Sequence, residues 1–184
     1  DACCLFVDLT LKTVYRWWQQ GMANDLGRIT EIGIDLRDNK NAAFEFASAF
    51  LALQMDTLFH IFEKKKAEKW RYLTLQYIQS NINDYSHVFH GIEKYENIIS
   101  KYPNFTYPAK HFVPPLRNLS EAIGVALADS FGGKITNEIE GKAVYNIFKI
   151  SLFGDSVLLF SASWNWKKFV ESVDIQEDPI PLNE

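Results

Sequence analysis

The sequence predicts an α+β fold: an antiparallel sheet of three to five strands, packed against a helical layer centred on a long helical hairpin over Asn41–Lys101. Three observations predict it. Apolar residues recur at three- and four-residue steps across 42–62 and again across 78–99. They alternate with polar residues across 28–36. Two apolar runs flank Gly154-Asp155, a dipeptide suited to a tight turn. With 184 residues, 47% hydrophobic and 15% aromatic, the chain holds enough apolar material for a real core. We expect one domain over 1–184, ending in a loosely ordered acidic tail over 174–184 that contains Pro179 and Pro181.

In chain order, Ala2–Val7 is a short apolar run and reads as a strand. Asp8 or Thr10 then opens a helix with Leu11, Val14, Tyr15, Trp18 and Met22 at helical spacing. Trp17 lies off that stripe, and Gly27 suits the C-cap. From Arg28 to Leu36 the pattern has period two. Ile32, Ile34 and Leu36 share one face and Glu31, Gly33 and Asp35 the other, as in a half-buried strand. Asp38–Asn41 is a turn, and Asn41 is placed to cap the helix that follows.

That helix, Ala42–Phe62, carries two adjacent apolar stripes. One is Phe44, Ala47, Leu51, Met55, Leu58 and Phe62; the other is Ala43, Phe46, Phe50 and Leu53. Apolar surface around most of a helix predicts burial on more than one side. The return half has its stripe at Ile78, Ile82, Tyr85, Phe89, Ile92 and Ile99, with Trp70 and Leu75 extending it backward. Asn81, Asn83 and Asp84 favour caps over helix interiors, so a break is expected there. A short connection makes the two halves antiparallel.

Pro103, Pro108, Pro114 and Pro115 predict an extended connection over Tyr102–Leu116. Asn118–Phe131 is a helix with Leu119, Ile123 and Leu127 inward and a capping box of Asn118 with Glu121. Lys134–Glu140 reads as a strand. Lys142–Leu152 and Ser156–Trp164 read as a hairpin turning at Gly154-Asp155. Trp164, Trp166, Phe169 and Val170 form an aromatic short helix or turn.

Charge and cysteine content narrow the function. A net charge of −4 argues against a protein that coats nucleic acid. The two cysteines, Cys3 and Cys4, are adjacent and offer neither a disulfide framework nor a metal spacing, so a reducing, cytoplasmic setting is expected. No apolar run approaches the roughly 20 residues that span a bilayer. Asp1 stands where a Met would open an unprocessed chain.

Several constellations suggest chemistry. Glu138, Glu140 and Lys142 lie at i, i+2, i+4, on one face of the expected strand. With Asp129 upstream, this resembles the restriction-endonuclease-like nucleases, and the resemblance implies Mg²⁺ held by carboxylates and a lysine that helps activate water. Asp8 followed by Arg28–Ile34 resembles the opening of the RNase-H-like 3′–5′ exonucleases. The chain departs from that pattern where Thr10 replaces the required glutamate, and no His-x₄-Asp follows. His87 and His90 are three apart but lack a third ligand at metal spacing, so they read as solvent-facing helix residues; no metal and no cofactor is expected. Lys64, Lys65, Lys66, Lys69 and Arg71 crowd the tip of the hairpin around Trp70. The preferred reading is a solvated turn with Trp70 packed underneath.

An acidic, aromatic-rich domain without a complete catalytic set reads as a non-enzymatic protein-binding module, of the toxin-neutralising immunity or inhibitor type. It would act by covering the surface of a partner, a basic toxin for example. Trp17 is the expected anchor, and Glu31 and Asp35 the expected acidic contacts. A metal-dependent nuclease built on Glu138, Glu140, Lys142 and Asp129, or a structural subunit that oligomerises through the helical hairpin, is the alternative.

Overall fold

The computed structural model describes residues 2–19, 40–83, 85–102, 114–130, 154–159, 161 and 165–172. They form helices α1 (Ala2–Trp17), α2 (Lys40–Ile61), α3 (Lys64–Asn81), α4 (Tyr85–Ile99), α5 (Pro114–Ser130) and α6 (Trp166–Ser172), with a further helical stretch at 154–159. Among the described residues there is no strand, which overturns the α+β class and its sheet. The strands expected at Arg28–Leu36, Lys134–Glu140 and Lys142–Leu152 lie outside the described residues.

Two expected strands are helices, for one physical reason. A short apolar run carries no period of its own and reads equally as a buried strand or a buried helix. At Ala2–Val7 the pattern continues through Asp8: Cys3, Phe6, Val7, Thr10 and Val14 are all buried, at the steps of a single helix face. At 154–159 the buried residues are Gly154, Val157 and Leu158, again three and four apart.

Gly154-Asp155 therefore makes no hairpin. A Cβ on Gly154 would stand 1.8 Å from the Ser120 carbonyl oxygen, so the glycine lets this helical stretch lie directly on the α5 backbone. The Asp155 carboxylate accepts a hydrogen bond from the Ser120 hydroxyl at the same crossing. The dipeptide serves a helix contact rather than a turn.

The centre of the molecule is α2. Ten consecutive residues, Phe46 to Met55, are buried, and every other labelled helix contacts α2. A helix apolar on all sides is stable only when surrounded. Phe50 and Leu51 are fully buried, as the double stripe predicts.

The return half divides into α3, ending at Asn81, and α4, starting at Tyr85, where the Asn and Asp residues imply a break. The inward stripe of α4 is Val88, Ile92, Tyr95 and Ile99, which leaves Phe89 only half-buried. In α5, Leu119, Ile123 and Leu127 are fully buried as expected. This helix starts earlier than the prolines suggested, at Pro114, because a first turn has no use for the missing N–H groups. Asn118 is consequently inside the helix rather than at its N-cap, the position the expected capping box requires. No helix among the described residues is long and apolar enough to cross a membrane.

Candidate functional site: a polar joint and the groove beside it

Glu45 is the one charge between Asn41 and Met55. A carboxylate in an otherwise apolar helix is costly unless partnered. α4 supplies the partners by lying very close. A Cβ on Gly91 would come within 2.5 Å of the Ser48 Oγ, so glycine is what permits the approach. The Ser48 hydroxyl meets the helix backbone instead, with the Phe44 carbonyl at 2.8 Å and the Val88 carbonyl at 3.4 Å. Ser48 faces Val88 and Gly91 while Glu45 faces Lys94 and Tyr95, so α2 and α4 run antiparallel.

One oxygen of Glu45 collects three donors. Lys94 forms the ion pair. The Tyr95 hydroxyl donates at 2.8 Å, and the Ser130 hydroxyl of α5 also lies 2.8 Å away. Ser130 has one proton for two acceptors, Glu45 and the Ala126 carbonyl at 2.9 Å, and its oxygen sits 2.6 Å from the Lys94 ammonium. Lys94 reaches the Ala126 carbonyl as well, at 3.3 Å. Its three N–H groups thus have three acceptors, and α2, α4 and α5 meet at one charge-compensated point. Burial first, and then the Glu45 charge, push the Tyr95 hydroxyl well above its ordinary pKa, so it stays a neutral donor.

Beside this joint runs a groove of about 630 Å³ between α4 and α5. Lys94, Ile98 and Tyr102 line one wall, at steps of four. Glu121, Val125 and Asp129 line the other at the same step, together with Ala122 and Ala126.

Other helix joints are polar or aromatic. Arg71 of α3 grips Glu96 of α4 bidentately, at 2.9 and 2.7 Å. Tyr77 donates to both oxygens of Asp8, at 2.7 and 2.8 Å, and this bond raises the tyrosine pKa. Phe6 stacks on Trp166 with ring centroids 3.7 Å apart, Trp70 meets Trp166 edge-on at 4.9 Å, and Phe62 meets Trp70 at 5.1 Å. Lys66 lies over the Phe62 ring at 4.9 Å, and Lys64 and Lys65 are exposed. The basic residues expected in a turn form the first two turns of α3 instead: Lys66 and Lys69 are half-buried, Arg71 pairs with Glu96, and only the packing of Trp70 beneath them is as expected.

Of the site residues expected from sequence, Trp17 and Asp129 are among the described residues. Trp17, the last residue of α1, is half-buried. Asp129 is exposed on the last turn of α5 and lines the groove. Glu31, Asp35, Glu138, Glu140 and Lys142 lie outside the described residues. His87 and His90 are exposed on α4, with His90 3.8 Å from Glu93. Among the described residues no group of three or more His, Cys, Asp or Glu side chains is arranged to hold a metal ion. Sequence reasoning missed the joint itself. Its signal was the single charge of Glu45 in an apolar helix, although its partners stand 49, 50 and 85 residues away.

No protein-family model, curated protein or solved structure matches the chain.

Proposed function

We propose that the chain is a non-enzymatic protein-binding module, of the immunity or inhibitor type, which covers the surface of a basic protein partner. The groove between α4 and α5 carries the reading. It is lined by apolar residues, Ile98, Ala122, Val125 and Ala126, together with charged ones, and framed by helices that the Glu45 joint fastens together. A partly apolar depression that also carries charged groups has the anatomy of a recognition surface. The joint spends its ionisable groups on cohesion: Lys94 is held by Glu45, and Tyr95 is kept protonated. Cys3 and Cys4 are free, and burial pushes the Cys3 thiol up to about 11, which keeps it protonated and unreactive.

Capture of a partner from the source cells, followed by association kinetics at two salt concentrations, tests the proposal. A partner bound one-to-one, with an on-rate that falls steeply with salt, is the expected result. Glu31→Lys, Asp35→Lys and Trp17→Ala, measured in the same assay, test the contacts expected from sequence. Hydrolysis of nucleic acid by the purified chain, abolished by Lys142→Ala, would replace the binding reading with the nuclease one.

A further inference from the structure

We draw no further inference here: the strongest candidate, the surface patch on the outward face of α3 where Lys65 and Lys69 share a stripe with the exposed Tyr72, rests on surface lysines near a helix N-terminus, and nothing in the structure shows what covers it.

Discussion

The two ends of α2 are fastened in opposite ways. Near its start, Glu45 gathers an ammonium, a phenol and a hydroxyl from two other helices. Just past its end, Phe62 enters a chain of rings that runs through Trp70 and Trp166 to Phe6, joining α3, α6 and α1. Ring packing draws its stabilisation from buried area and tolerates small shifts. The polar joint draws on geometry and charge, and it loses its advantage once any one member is missing. The lesson is that one helix can be anchored hydrophobically at one end and specified electrostatically at the other. The groove lies beside the specified end.

The largest effect should come from the aromatic end. Trp166 is fully buried, and Trp166→Ala should cost about 3–5 kcal/mol by chemical denaturation, with loss of cooperativity at α6. A loss below about 1 kcal/mol would show that the rings are not an anchor.

Alkali should act next. The folded state holds the Cys3 proton up to about pH 11, whereas the unfolded chain releases it near 9.0. A raised pKa gives stability that is fully present below the unfolded value and is lost as pH rises through the folded one. Stability should therefore fall by up to about 3 kcal/mol over that window, and Cys3→Ala should flatten this part of the curve. Tyr95 at the polar end adds a decline that begins near its ordinary value of 10.0, and Tyr95→Phe should remove it. An alkaline melting curve identical in both variants and the wild type would contradict the assignment.

Breaking the polar joint should cost less than removing Trp166. Glu45→Gln leaves Lys94 without its counter-charge, but Lys94 is 38% exposed and water screens part of the loss. About 1–3 kcal/mol is expected. The smallest effect tests the spacing that makes the joint possible. Gly91→Ala should destabilise by about 1–2 kcal/mol through overpacking against Ser48. Ser48→Ala should not rescue it, because the Ser48 Cβ is itself only 2.6 Å from the added methyl. Full rescue by Ser48→Ala would mean that the hydroxyl alone sets the approach.

Much of the helical framework was legible in the sequence. Two adjacent stripes marked α2 as surrounded. Leu119, Ile123 and Leu127 marked the inner face of α5, and the cluster of Asn81, Asn83 and Asp84 marked the break between α3 and α4. These signals are local and repeat over several turns. Ala2–Val7 and the start of the Ser156–Trp164 strand were misread because a short apolar run cannot distinguish a period of 2 from one of 3.6. Gly154 was misread because a glycine that admits a neighbouring backbone looks, in sequence, like a glycine that admits a turn. In the candidate site, Asp129 stood out as an acid, through the alternative nuclease reading, and it lines the groove. The set of Glu45, Lys94, Tyr95 and Ser130 has no local pattern, since helix packing alone brings its members together.

The indole nitrogen of Trp166 is buried and has no hydrogen-bond acceptor among the described residues. Its proton has no route to solvent while α1, α3 and α6 stay packed. Exchange of that proton with deuterium then requires the aromatic end to open, and its rate converts directly into an opening free energy. A single indole resonance followed over time would act as a clock for that end of the molecule, running independently of the polar joint at the other.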